Sequence, residues 1–127
     1  MPRQEVSAPA APPAIGPYSQ AIAIDGFVFC SGQLGMDPAT GQLLDGVANQ
    51  AERAMKNLEL VLGGAGASLA DVVKTTIFLT DLADFSTVND IYARHVIAPA
   101  PARSTVQVAA LPRGALVEIE AIARRAS

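Results

Sequence analysis

Between Leu116 and Ala123 the chain reads Leu-Val-Glu-Ile-Glu-Ala-Ile-Ala. Side chains alternate faces along a strand, so Val117, Ile119, Ala121 and Ala123 make one apolar face, and Glu118 and Glu120 stand with Leu116 and Ile122 on the other. Such a strand demands a sheet with one covered face, and it leaves two carboxylates on a face that is otherwise apolar. Upstream, Pro101 to Ala110 is also β-rich, with Ser104, Val106, Val108 and Ala110 on one side and Arg103, Thr105, Gln107 and Ala109 on the other. Leu111-Pro112-Arg113-Gly114 marks a turn between the two segments, which are therefore expected to pair as a β-hairpin. In that hairpin Gln107 faces Glu118, and Arg103 lies roughly 13 Å from Glu118 at about 3.3 Å per residue. That is too far for an ion pair, but a small ligand fits between them, with further walls from a neighbouring molecule.

The rest of the chain supplies the covering layer. Residues 1–14 form an Ala/Pro-rich arm, extended and mobile at its start, with order expected from Ile15-Gly16-Pro17-Tyr18. Tyr18 to Ile24 and Phe27 to Ser31 read as strands joined by Asp25-Gly26, a strong hairpin dipeptide. The second ends in Ser31-Gly32-Gln33, where glycine allows a close approach of backbone. From Val47 the period changes to that of a helix, with apolar residues at Ala51, Ala54, Met55, Leu58, Val61 and Leu62, started near Asp45 and stopped by Gly63-Gly64. These glycines follow a helix and precede no Gly-Lys-Ser/Thr, so they are not a phosphate loop. Ser68 to Asp71 has capping-box form. Val72 to Thr80 reads as a strand with Val73, Ile77 and Leu79 on one face, and a second helix from Asp81 or Asp84 carries Phe85, Val88, Tyr92 and Val96 before Pro99. The order β-β-α-β-α-β-β, with two helices on one face of a mixed or mostly antiparallel sheet, makes an α+β sandwich within a single domain, 1–127. Its other face is expected to carry Lys74, Thr76, Phe78, Thr105, Gln107, Leu116, Glu118, Glu120 and Ile122. Such a mixture suits a subunit interface with functional groups in it.

Composition narrows the chemistry. Half of the 127 residues are apolar and mean hydropathy is +0.31, which favours an oligomer over a lone monomer. Twelve acidic against nine basic residues give a net charge of −3, which repels a phosphate backbone. There is no signal-peptide pattern and no run of membrane-spanning length, so a cytoplasmic location is expected. One cysteine, Cys30, excludes an internal disulfide, and one histidine, His95, leaves little for a zinc site, so any chemistry is expected to proceed without a thiol–imidazole pair or an N/S-ligated metal.

Each candidate has a plainer reading beside the functional one. Arg103 is either an interface ion pair or a bidentate receptor for a substrate carboxylate, a task that suits its planar fork. Glu118 is either a partner of Lys74 or of an arginine, or the group that orients and deprotonates a water. Glu120 reads as structural, Tyr18 as a core or interface aromatic, Ser31 as a strand-end hydroxyl, His95 as a surface or helix-end charge, and Cys30 as a buried small residue.

Taken together, Pro-Ala-Arg-Ser-x-Val at 101–106, Leu-Val-Glu-Ile-Glu-Ala-Ile-Ala at 116–123, Ala14-Ile15-Gly16-Pro17-Tyr18, Ser31-Gly32-Gln33 and Val73-Lys74-Thr75-Thr76 resemble the reactive intermediate deaminase family (RidA, YjgF). The likeness covers nearly the whole chain. It implies a chorismate-mutase-like (bacillus type) α+β subunit and a homotrimer whose sheets face a central barrel-like core, with clefts between subunits. It also implies hydrolysis of 2-imino acids and their 2-enamino tautomers to 2-keto acids and ammonia, without a cofactor. By position, Arg103 matches the carboxylate-binding arginine and Glu118 the water-orienting glutamate. Tyr18, Ser31 with Gly32, and Asn89 fall where the family lines its pocket, and Thr105 replaces a cysteine found there in many members. The alternatives are a non-catalytic keto-acid-binding regulator using the same cleft, a chorismate mutase, which needs more cleft cations than Arg103, and an endoribonuclease, against which the charge and the single histidine argue.

Overall fold

Alternation and helical periodicity translate into elements close to those expected, but the strands pair in an order that sequence neighbours do not suggest. The computed structural model describes residues 2–126. Its strands are β1 (Gln4–Val6), β2 (Ala21–Ile24), β3 (Phe27–Leu34), β4 (Val72–Leu79), β5 (Ala102–Gln107) and β6 (Val117–Arg124), and its helices are α1 (Val47–Gly64) and α2 (Phe85–Ala93). One six-stranded sheet runs β1-β2-β3-β6-β4-β5. All neighbours are antiparallel except β4 and β5, so the sheet is mixed.

The expected hairpin between 101–110 and 116–123 does not form. β4 inserts between β5 and β6, pairing antiparallel with β6 and parallel with β5. A strand with one apolar face gains most when it is hydrogen-bonded on both edges and covered on that face, and β6 obtains both between β3 and β4. Val117, Ile119 and Ala123 are fully buried there. β5, with no fully apolar face, takes the edge.

α1 covers β3 and β6, and α2 packs beside α1. Leu58, Val61 and Leu62 of α1 are essentially inaccessible, each worth about 1.5–3 kcal/mol of apolar burial. The same stripe contains two buried amides. Asn57 donates to the carbonyls of Leu34 and Met36 and accepts from Arg53 Nε. Gln50 donates to Leu44 O and accepts from Leu116 N. α1 thereby holds the end of β3 and the approach to β6 in one place. His95 lies at the end of α2, its Nε2 3.0 Å from Glu52 Oε1 on α1.

Three expectations change. The arm is ordered well before Ile15: β1 pairs with β2, and the Gln20 carboxamide bonds Ala8 and Pro12. Val73 points out, because a register shift against β6 between Val72 and Lys74 turns Val72 inward in its place. Thr105 and Gln107 leave the open face, since β5 aligns them with Ile77 and Leu79, whose side chains are buried on the helix side. Lys74, Thr76, Phe78, Glu118, Glu120 and Ile122 stay on the open face. Among the described residues no helix is long and apolar enough to cross a membrane.

Candidate active site in two halves

The first half lies at the edge of the sheet, on its helix side. β5 sets Arg103 opposite Thr75, whose buried hydroxyl shares a 2.7 Å hydrogen bond with Tyr92 of α2. The Arg103 guanidinium therefore meets α2, where Phe85, Asn89 and Tyr92 recur at helical spacing on one face. It sits 5.1 Å from the Tyr92 ring centre and 5.6 Å from that of Phe85, and its NH1 donates to Asn89 Oδ1 at 2.8 Å. Two rings and one amide hold the plane of the fork, and the remaining N–H donors stay available. Among the described residues no carboxylate approaches Arg103 within 4.0 Å. Thr105, two residues along the same face, has a buried hydroxyl with no hydrogen-bond partner there.

The second half is a cavity of about 340 Å³ bounded by Pro12 to Ile15, Tyr18, Gly32, Pro112, Arg113 and Glu118. β6 presents Glu118 on the open face, opposite Phe78 of β4 and Leu34 of β3. Burial, and then the neighbouring Glu120 carboxylate, push the Glu118 carboxyl above the ordinary range. Among the described residues Lys74 does not pair with it; its Nζ donates to Ser104 Oγ at 2.9 Å. The bulge in β3 between Cys30 and Gln33 brings Gly32 against the Glu118 carboxylate, where any Cβ would collide with it. Ser31, beside it in the bulge, donates its hydroxyl to Ser19 O at 2.6 Å and does not line the cavity. Tyr18 is more than half exposed, and its hydroxyl accepts a long 3.4 Å bond from Ile15 N. Cys30 is buried, and its thiol is pushed up to about 12 by desolvation, which removes it from thiolate chemistry at neutral pH.

Tyr18, Gly32 and Glu118 thus share one cavity, with Ser31 beside it, while Arg103, Asn89 and Thr105 form a separate group. The halves are three residues apart along β4 and two strand spacings apart across it, roughly 14 Å between backbones. They also point to opposite faces of the sheet, so one chain cannot present both to one ligand. The hairpin reading put a similar distance between Arg103 and Glu118 but left out the intervening strand. Sequence reasoning also left out Arg113 as a cavity residue and Phe85 and Tyr92 as the brace of Arg103. The helical spacing of 85, 89 and 92 was a signal for the brace; for Arg113 only its place in a Pro-Gly turn was visible. Among the described residues no three His, Cys, Asp or Glu side chains are grouped as a metal site.

The mixed sheet and its covering helices define an α+β protein. The chain belongs to the endoribonuclease L-PSP family, also called YjgF/RidA, whose description matches residues 8–125. It is 53% identical over 122 residues to a Bos taurus protein named 2-iminobutanoate/2-iminopropanoate deaminase, covering 95% of this chain and 89% of that one. It is similar to the crystal structure of RidA from a Psychrobacter species, with a TM-score of 0.93 and 46% identity over 95% of this chain and 98% of the other. Escherichia coli TdcF with bound serine superposes with a TM-score of 0.92 at 42% identity, covering 97% and 99%.

Proposed function

We propose that this protein is a 2-iminobutanoate/2-iminopropanoate deaminase, a hydrolase acting on C=N bonds that converts 2-imino acids and their enamine tautomers to 2-keto acids and ammonia and so limits damage by these reactive intermediates. Its subunit is a single chorismate-mutase-like domain, and it works in the cytoplasm as a homotrimer. The observation that carries this reading is the pair of incomplete half-sites: a braced arginine with no ion-pair partner on one face, and a carboxylate with none on the other, among the described residues. Two copies that bring the edge of one sheet to the open face of the next complete a cleft between them. The family membership and the names of relatives at about half identity support the same chemistry.

Arg103 pairs with the substrate carboxylate through its free donors, which fixes the imine carbon near Glu118 of the neighbouring copy. Glu118 takes a proton from a water, and the oxygen adds to the C=N carbon to give a carbinolamine. That proton passes to nitrogen; Glu118 then carries the hydroxyl proton of the carbinolamine to the same nitrogen, and ammonia leaves as the C–N bond breaks and the carbonyl forms. A carboxyl whose affinity for a proton is raised suits both transfers. Tyr18, Gly32 and Ser31 on one side, with Asn89 and Thr105 on the other, form the walls. Nothing in these steps calls on a metal or an organic cofactor.

A second reading, a non-catalytic binder of small amino or keto acids, takes support from the serine held by the Escherichia coli relative. The family description names an endoribonuclease, but a net charge of −3 and a single histidine, tied to Glu52, give little to hold or cleave RNA. The test is to generate 2-iminobutanoate in place with an amino-acid oxidase, trap surviving imine with semicarbazide, and compare wild type with Arg103→Ala. Faster loss with wild type alone is the expected result. No acceleration for any of several imines would leave the binder reading.

A further inference from the structure

The charged residues lining the Glu118 cavity are Glu118 and Arg113, and the reaction above uses only the first. Arg113 stands in the turn Pro112–Gly114 with φ 60°. A residue with a Cβ takes that left-handed conformation only where its surroundings hold it, and such positions concentrate where a side chain must be aimed. Here one guanidinium nitrogen, NH1, donates to Gly41 O at 3.1 Å, which ties the turn to the 37–41 loop and leaves the other donors of the fork open. Among the described residues no carboxylate lies within 4.0 Å of it, Glu118 included. The cavity therefore holds an unpaired anion and an unpaired cation.

In the proposed reaction the 1-carboxylate of the substrate is taken by Arg103 of a second copy, so its side chain is left to this cavity. Pro12, Ile15, Leu34 and Pro112 suit an apolar chain. A side chain ending in a carboxylate would instead meet Glu118, a like charge, and be repelled unless a cation stood nearby. The geometry points to Arg113 as the specificity residue that lets this site accept imines derived from acidic amino acids, its open donors taking the second carboxylate. This rests on the deaminase reading for its reaction, but the recognition itself does not require turnover.

Two measurements on the full-length assembled protein decide it. In the first, imines are generated from glutamate and from 2-aminobutanoate by suitable oxidases, and kcat/KM is obtained for wild type, Arg113→Ala and Arg113→Lys. The ratio of glutamate-derived to 2-aminobutanoate-derived activity is expected to fall about tenfold in Arg113→Ala and to recover in part in Arg113→Lys, as for a site that loses a charged partner. In the second, calorimetry compares binding of 2-oxoglutarate and 2-oxobutanoate. Wild type is expected to favour the dicarboxylate, and Arg113→Ala to lose that preference. An unchanged activity ratio together with an unchanged binding preference overturns the inference, as does a wild type that turns over the 2-aminobutanoate imine yet neither processes nor binds the dicarboxylates. If wild type turns over neither imine, the deaminase reading falls, and the calorimetric preference alone confirms or overturns the role of Arg113.

Discussion

Arg103 and Glu118 are held by opposite means, and their substitutions should fail differently. Arg103 is aimed by Asn89, Tyr92 and Phe85, so Arg103→Lys keeps the charge but loses the stacked plane and the fork. A fall in kcat/KM on the order of 100-fold is expected for Arg103→Lys, close to that of Arg103→Ala, in the semicarbazide-trapping assay. Glu118 is half-buried beside Glu120 and, among the described residues, forms no ion pair within its own chain, and its carboxyl is pushed above the usual value of 4.5. Between that value and its raised one, the folded chain binds more proton than the unfolded chain. Its contribution to stability is therefore fully present below the unfolded value and is lost as pH rises through the folded one. Glu118→Gln should consequently raise the Tm at neutral pH while lowering kcat by about 100-fold or more, a trade expected of a group placed for chemistry. Equal or lower Tm in a thermal melt of Glu118→Gln would contradict this. In the wild type the acid limb of the rate profile should lie above the usual carboxylate range, since the base must be ionised to accept a proton.

At the scale of elements, the site depends on how α1 seizes the strand ends around Glu118. Asn57 is fully buried and uses both ends of its amide, two donations to Leu34 and Met36 and one acceptance from Arg53. Asn57→Leu fills the space but leaves two carbonyls without donors, and should cost about 2–4 kcal/mol, read from the urea midpoint at unchanged slope. Gly35 lies where β3 gives way to the following loop, and a Cβ there would run into the backbone of Gln50. Gly35→Ala should cost about 1–3 kcal/mol, because helix and strand must separate and a backbone cannot swing aside as a side chain can. These elements were largely legible in the sequence. The α1 stripe, the capping box of Ser68 and Asp71, and the Asp25-Gly26 turn follow from local periodicity and local hydrogen bonding. The bulges at Ser31-Gly32 and at Val73 were not, since a bulge is a property of two paired strands and neither strand alone records it.

At the scale of the whole molecule, the open face of the sheet exposes Phe27 and Phe29, with Val73 and Val106 exposed on the strands beyond them. Apolar exposure of this kind suits contact between copies, and under the proposed mechanism the opposite facing of Arg103 and Glu118 makes such contact a condition of activity. Arg103→Ala and Glu118→Gln, each inactive alone, should therefore complement when refolded together. In the proposed ring of three, random half-and-half mixing leaves about a quarter of the clefts with both residues intact. Recovery of activity near that fraction supports clefts shared between chains, whereas a mixture as dead as its parents would sink the shared-cleft arrangement.

The residue pattern was sufficient for the two helices, for the strands that follow the N-terminal arm and for the buried faces of α1 and β6, and it singled out Arg103 and Glu118 as candidates. All of these depend on alternation, helical spacing and side-chain type, which are local. Only the tertiary structure decided that β4 separates β5 from β6, that Arg103 and Thr105 turn toward the helices while Glu118 turns away, and that Arg113 reaches the Glu118 cavity. Strand order is set by which edges and faces are satisfied across the whole sheet, and β6, with its one strongly apolar face, takes the position where both of its edges are paired.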